Sequence, residues 1–150
     1  MKFFTHIVGL SFVFILAMSI SATAATPAKE KQSDLEKMQG AWRVVSSQVA
    51  DEKADEEEVK RRKVTFKEDQ IIYEYGNPQK EKREGTVKLD SKTHAFDWVT
   101  HDATMQAIYE LKGDDLKIGF GNDGLVRPKR FTIDKENVVW LLVLKRDPQK

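Results

Sequence analysis

Short runs of alternating apolar and polar residues follow one another from Gly40 almost to the end of this sequence. Successive side chains of a β-strand point to opposite faces, so this spacing predicts strands with one buried face. About eight such segments recur at intervals of roughly 8 to 12 residues, most of them joined by tight turns. Parallel pairing would need long crossover connections, so we predict an all-β fold: an eight-stranded antiparallel up-and-down barrel with short helical turns.

The composition restricts what such a barrel can do. The 150 residues suit one domain, since domains usually contain about 100 to 200 residues. Lysine and arginine total 25 against 24 aspartate and glutamate residues, so no overall field attracts nucleic acid or an anionic membrane. The sequence has no cysteine, which excludes disulfides and thiol catalysis. Stability must therefore come from buried apolar area and strand pairing.

The first 24 residues have the pattern of a secretory signal peptide. Lys2 provides a positive start, residues 7–20 are largely apolar, and Ala22-Thr23-Ala24 offers small residues for cleavage after Ala24. The alternative is a retained membrane anchor, but the apolar run is shorter than the roughly 20 residues of a spanning helix. We expect export to the periplasm or the extracellular space, no membrane span in the mature chain, a linker over residues 25–32 and the barrel domain over residues 33–147.

Two short helical segments are expected beside the strands. Ser33 followed three residues later by Glu36 resembles a capping box, so residues 34–39 are predicted to be helical. Asp55 and Glu58 have the same spacing and predict a helical turn over residues 55–62.

The first and last strands carry specific expectations about their faces. In the first strand, Trp42, Val44 and Ser46 are expected to share one face. The last strand is apolar on both faces, with Val138, Trp140, Leu142 and Leu144 on one and Val139, Leu141 and Val143 on the other. Either the second face lies under the N-terminal helix, or it forms a contact between two copies of the chain.

Several segments together resemble a known family. They are Leu35-Glu36-Lys37-Met38-Gln39-Gly40-Ala41-Trp42-Arg43-Val44-Val45-Ser46, Val64-Thr65-Phe66-Lys67, Gly85-Thr86-Val87-Lys88-Leu89-Asp90, Ile108-Tyr109-Glu110-Leu111, Gly113-Asp114-Asp115-Leu116-Lys117-Ile118, Arg127-Pro128 and residues 141–146. The combination is similar to the planctomycete paralogous lipocalin-like domain. This resemblance implies a calycin-type, lipocalin-like barrel that is usually exported, in a family without an assigned activity. It transfers a fold and no catalytic residues.

The pair Gly40-x-Trp42 also resembles the opening motif of lipocalins. That resemblance implies that the tryptophan closes one end of the barrel under a basic side chain from the last strand. Arg146 is the candidate for this role, because a planar guanidinium stacks favourably on an indole face. Gly40, Trp42 and Arg146 are therefore expected to form a structural motif.

The residue types that support catalysis or metal binding do not converge. His94, Asp97, His101 and Asp102 are the only cluster of metal-ligating types, and on an unbroken strand Asp97 and His101 would stand about 13 Å apart. We predict no metal and no cofactor. No Gly-x-Ser-x-Gly elbow is present, and the paired carboxylates at 56–58 and 114–115 fall in predicted surface turns. We predict a protein that is not an enzyme and has no catalytic residues.

Basic runs at 60–63 and 80–83 are flanked by acidic residues and lack interleaved aromatics, so we predict no nucleic-acid partner.

The lumen is the remaining candidate site. An eight-stranded barrel is just wide enough to be packed by its own side chains or to hold one small molecule. A small apolar ligand would contact bulky inward side chains, with tyrosine hydroxyls as orienting partners; these are Phe66, Tyr73, Tyr75, Phe96, Trp98, Tyr109 and Phe120. The alternative is a solid-cored structural or interaction module of the cell envelope, with a protein partner or a second copy on its outer surface. An uncharacterised enzyme is the third and most distant alternative.

Overall fold

The computed structural model describes residues 33–121, 126–134 and 137–148. The predicted signal peptide and linker lie outside these residues. The described elements are α1 (Asp34–Met38), β1 (Gly40–Val49), β2 (Glu52–Lys53), α2 (Glu56–Val59), β3 (Lys63–Lys67), β4 (Gln70–Glu74), β5 (Lys82–Asp90), β6 (Ala95–Val99), β7 (Thr104–Lys112), β8 (Asp115–Gly121) and β9 (Val138–Arg146).

Eight of these strands form a closed barrel. From β3 to β9, each strand pairs antiparallel with the next one in the sequence, and β1 pairs with both β3 and β9. The closing ladder between β1 and β9 runs from Trp42 opposite Arg146 to Val49 opposite Trp140. β2 is a two-residue ninth strand that extends the sheet beside the end of β1. The predicted eight-stranded antiparallel up-and-down barrel is confirmed, and lipocalins share this architecture.

The inward side chains form one hydrophobic core along the barrel. Its members come from every barrel strand and include Trp42, Val44, Val64, Phe66, Ile71, Val87, Phe96, Ala107, Leu116, Ile118, Leu142 and Leu144. Because the chain has no cysteine, this core and the strand ladders supply its stability.

Helix α1 covers one end of the barrel, which we call the α1 end. The predicted capping box is confirmed: the Ser33 hydroxyl accepts from the Glu36 backbone N–H, and the Glu36 carboxylate accepts from the Ser33 backbone N–H. Met38 is fully buried and Leu35 packs partly against the core. Gln39 follows the helix and bonds through its side chain to the backbone of Glu68 in the β3–β4 turn.

Helix α2 lies at the opposite end, which we call the α2 end. It is shorter than the predicted span of residues 55–62. Asp55 caps it by accepting from the Glu57 backbone N–H, whereas Glu58 pairs with Arg62 instead of completing a capping box. Val59 is 5% exposed and anchors this short helix to the core.

A bulge in β1 corrects the prediction for the first strand. The register with β9 shifts between Val44 and Ser46, so one extra residue is accommodated there. The inward residue beyond the bulge is Ser47, which is 1% exposed, and Ser46 is only half-buried. The assignment of Ser46 to the same face as Trp42 and Val44 was therefore wrong, because strict alternation cannot anticipate an inserted residue.

Two strand boundaries also differ from the sequence pattern. β5 begins at Lys82, so part of the charged stretch before Val87 is strand, paired with the end of β4. Tyr75 lies just beyond β4. Residues 129–133 lie outside the named strands and contribute one isolated bridge between Ile133 and Val138.

The outer face of β9 remains partly open. Val139, Leu141 and Val143 are half-buried, and α1 contacts the α1 end of the barrel rather than this face. The interpretation in which the N-terminal helix covers these side chains was wrong. An apolar stripe thus lies on the outer wall, and Val45 of β1, 46% exposed, lies close to it.

Candidate functional site

Six of the seven side chains predicted to face the lumen lie in the buried interior. Their exposed fractions are 1% for Phe66, 1% for Tyr73, 0% for Phe96, 1% for Trp98, 2% for Tyr109 and 3% for Phe120. Tyr75 is only partly buried at the α2 end, where its ring packs edge-on against Tyr73 with the centroids 4.8 Å apart.

The aromatic rings of the interior contact one another. Trp98 and Phe120 have ring centroids 6.1 Å apart, and Trp140 stacks on Phe120 at 4.7 Å. Phe66 and Phe96 meet edge-on at 6.4 Å. A void large enough for water beside these rings would leave part of their surface accessible, yet Trp98 and Phe96 are 1% and 0% exposed. The side chains therefore fill the space around them.

Some buried donors in this interior have no partner. Among the described residues, Tyr73 Oη, Trp98 Nε1 and Arg62 Nε make no hydrogen bond. Burial raises the pKa of the Tyr73 hydroxyl, and the nearby Arg62 guanidinium opposes that effect. Leaving a buried polar group unpaired costs about 1–3 kcal/mol. The Trp98 indole is accommodated by Gly85, where a Cβ atom would lie 2.5 Å from Trp98 Nε1.

A polar network closes the α2 end. The buried Ser47 hydroxyl accepts from Arg62 Nη1 and from Trp140 Nε1, each at 3.1 Å. The Arg62 guanidinium also pairs with Glu58 of α2. The roles of Ser47 and Arg62 could not be predicted from the sequence, because no residue pattern in β1 marks the bulge that turns Ser47 inward. The network links α2, β1 and β9 across this end of the barrel.

Trp42 and Arg146 meet at the α1 end. The Arg146 guanidinium carbon lies 4.3 Å from the centroid of the Trp42 ring. Arg146 also donates to the backbone carbonyls of Gln39 and Lys37 and to the Asp114 carboxylate. Trp42 Nε1 donates to the Met38 carbonyl at 2.7 Å. The stacked pair thus holds α1 onto the barrel. Gly40, at the start of β1, has a φ of 102°, a backbone conformation that glycine adopts readily and other residues rarely do.

Tyr109 forms a second link between α1 and the barrel. Its hydroxyl donates to Asp34 Oδ2 at 2.7 Å. Burial and the adjacent Asp34 carboxylate raise the pKa of Tyr109 to about 12. Hydrogen bonds from Lys37 and Tyr109 lower the pKa of Asp34. The Tyr109 hydroxyl is thus directed away from the centre of the lumen and engaged with the helix.

The candidate metal-ligating residues are dispersed. His94 lies in the turn before β6, and His101 and Asp102 lie in the turn after it. Asp97, outward on β6, accepts from Arg127 Nη2 at 2.6 Å. Within residues 33–121, 126–134 and 137–148, no group of three or more histidine, aspartate or glutamate side chains is placed to hold a metal ion.

The paired carboxylates are engaged in ion pairs. Glu57 pairs with Lys60 at 2.8 Å and Asp114 with Arg146 at 2.9 Å. Asp115 lies 3.9 Å from Lys145. These exposed pairs form around turns and a short helix, and they present no converging acid and base.

A groove runs along the outer wall between β1 and α2. Its volume is about 430 Å³, within the range of small-molecule clefts. Its apolar part consists of Val44 and Val45 on β1, Ala54 and Val59. Charged side chains surround this part: Arg43, Lys53, Glu56 and Lys60. We call this cleft the β1–α2 groove. Sequence analysis missed it, because its two walls come together only through the bulge and the position of α2.

Three cations stand side by side across the outer wall at one end of this groove. Arg43 of β1 is directly opposite Lys63 of β3 on one side and Lys145 of β9 on the other. Directly opposed side chains on one face have Cβ atoms about 4.5–5.5 Å apart, and like charges in such positions are destabilising. Lys145 has Asp115 at 3.9 Å, whereas Arg43 and Lys63 make no ion pair within the described part of the chain.

No helix in the described part of the chain combines the length and apolar character needed to cross a bilayer. No family model matches this sequence, and no curated protein matches it. Among solved structures, the chain is similar to a lipocalin-like protein from Bacteroides uniformis, with 13% sequence identity and a TM-score of 0.28. That similarity covers 74% of this chain and 99% of the other. So low a TM-score carries no argument, and the barrel assignment rests on the pairing of β1 with β9.

Proposed function

We propose that this chain is an exported, non-enzymatic barrel with a solid interior, which acts through its outer surface at the cell envelope. The observation that supports the proposal is the packed lumen, in which Phe66, Phe96 and Trp98 are at most 1% exposed. An eight-stranded barrel filled in this way has little room for a guest. Its remaining chemistry therefore belongs to the outer wall.

Export and family membership are parts of the same proposal. Export is supported by Lys2, the apolar residues 7–20 and the small residues Ala22-Thr23-Ala24. Membership of the planctomycete paralogous lipocalin-like family is supported by the sequence resemblance alone. Sequencing the N-terminus of exported protein tests the first part: we expect a chain that begins at Ala25. A chain that still begins at Met1 in the membrane fraction would contradict export by a cleaved signal.

The outer apolar stripe supports a protein partner. Val139, Leu141 and Val143 are half-buried side chains that follow one another along the outer face of β9. Contiguous apolar surface of this kind marks interaction sites on soluble proteins. A second copy of this chain and a different protein are both candidates for the partner.

An uncharged apolar dye tests the solid interior. We expect Nile red to show no saturable rise in emission when the protein is titrated, because Phe66, Phe96 and Trp98 are at most 1% exposed. A saturable rise that the substitution Trp98→Phe alters would show that the lumen admits ligands, and it would contradict the proposal.

Sedimentation velocity tests whether the partner is a second copy of this chain. If a second copy covers the stripe, the protein dimerises as its concentration rises, and Leu141→Asp abolishes the dimer. The control Val126→Asp changes a residue that is 61% exposed and should leave the dimer intact. A monomer at every concentration assigns the stripe to a different protein.

A container for a small ligand is the second candidate function. The observation in its favour is the buried donor Trp98 Nε1, which makes no hydrogen bond within the described residues, whereas the Tyr73 hydroxyl lies beside the Arg62 guanidinium. A guest that carries a hydrogen-bond acceptor would satisfy the Trp98 indole N–H. Such a guest requires the aromatic rings to move apart, and the dye titration above distinguishes this candidate from the solid barrel.

A further inference from the structure

We propose that the β1–α2 groove binds a small amphipathic anion, a molecule with a carboxylate head and a short apolar tail. This inference rests on the proposed function, because it places a ligand site on the outer wall of a barrel whose interior is filled. The site consists of the apolar surface of Val45 and Ala54, above the buried Val59, with the cations Arg43 and Lys53 beside it.

The register of the strands provides the argument for an anion. Arg43 lies between Lys63 and Lys145 on three adjacent strands, and like charges in directly opposed positions repel each other. Arg43, Lys53 and Lys63 have no ion pair within the described residues. A carboxylate bound beside Arg43 would offset this repulsion and could accept two hydrogen bonds from its guanidinium.

The groove itself provides the argument for an apolar tail and for a small ligand. Val45 is 46% exposed, although large apolar side chains are usually buried, and the half-buried Ala54 lines the groove with it. The volume of about 430 Å³ suits a small molecule. A protein partner would need a contact of about 800 Å² on each side, far more than this cleft offers.

The charges of the groove favour the anion over other ligands. Lys60 is already paired with Glu57 at 2.8 Å, which leaves Arg43 and Lys53 as the unpaired cations of the rim. Glu56 is the one acidic side chain that lines the groove within the described residues. Arg43 would therefore repel the head group of a cationic amphiphile, whereas it attracts the carboxylate head of the proposed ligand.

Isothermal titration calorimetry with decanoate tests this inference. The titrated protein is the one purified after expression of the full chain. We expect saturable binding of one decanoate per chain, which weakens as salt rises. Arg43→Gln and Lys53→Gln should each weaken binding by roughly tenfold, because a hydrogen bond to a charged group is lost. Val45→Ser should weaken it as well. The matched control Lys67→Gln removes an exposed cation at the other end of β3 and should leave the affinity unchanged.

Several other binding results would overturn the anion site. Equal binding of decanoate and decyltrimethylammonium, or equal binding by wild type and Arg43→Gln, overturns the anion site. No binding of decanoate, or retention only on vesicles that contain anionic lipid, also overturns it and leaves the solid barrel standing. Binding that Trp98→Phe weakens while Arg43→Gln does not would place the ligand in the lumen, and then the proposed function fails as well.

Discussion

At the scale of single residues, Trp42 has the largest structural role at the α1 end. It is fully buried, its indole nitrogen bonds to α1, and Arg146 stacks on its outer face. The sequence identified this pair, since Gly40-x-Trp42 and a basic residue near the end of the last strand are visible as a pattern. The additional bonds of Arg146 to the carbonyls of Lys37 and Gln39 became apparent only with the fold.

Replacement of Trp42 by alanine should lower the free energy of unfolding by about 3–5 kcal/mol, because a large cavity remains in a packed core. Urea denaturation followed by circular dichroism measures this loss. Val126→Ala, at a residue 61% exposed, is the control and should change little. A loss below about 1 kcal/mol for Trp42→Ala would remove this side chain from the core.

Asp34 gives the α1 end a dependence on pH. Hydrogen bonds from Lys37 and Tyr109 hold the pKa of Asp34 below its ordinary value of 3.8. Its contribution to stability is therefore present above that value and is lost as pH falls through the lower pKa of the folded state. Asp34→Asn should melt below wild type at neutral pH, and the difference should shrink below about pH 4. A difference in melting temperature that stays constant down to about pH 2 would contradict this assignment.

At the scale of elements, helices and hairpins followed from local patterns, whereas interruptions of those patterns did not. The capping box of α1 depends on Ser33 and Glu36 alone, so the sequence contained it completely. The bulge of β1 depends on how β9 aligns with β1, a contact between residues almost a hundred positions apart. The opposition of Arg43 to Lys63 and Lys145 is likewise a consequence of register, so no pattern in one strand predicts it.

Two neighbouring serines test the bulge directly. Ser47→Ala should lower the free energy of unfolding by about 1–3 kcal/mol, because Arg62 and Trp140 each lose their bond to the Ser47 hydroxyl. Ser46→Ala should change it by less than about 0.5 kcal/mol, since this side chain makes no hydrogen bond within the described residues. Thermal and urea unfolding of both variants provide the measurement. The reverse order of effects would mean that β1 alternates without a bulge and that Ser46 faces inward.

At the scale of the whole molecule, period-two patterning and short connections were sufficient to predict a closed barrel of eight strands. They were not sufficient to predict whether it holds a ligand. Phe66, Phe96, Trp98 and Phe120 are bulky enough to fill a lumen or to line one, and the difference depends on how their rings interlock across strands distant in sequence. Trp140 completes that packing by stacking on Phe120. The candidate site on the outer wall needed the register and the position of α2.

The proposal of a solid barrel requires that its side chains fill the interior. Crystals pressurised with xenon test it most directly, because xenon occupies apolar cavities and an engineered void of about 150 Å³ is enough to bind it. We predict no xenon inside the wild-type barrel, and a xenon atom in the space vacated by Phe96→Ala as the positive control. Xenon bound among Phe66, Phe96 and Trp98 in the wild-type protein would show an open cavity and contradict the solid barrel.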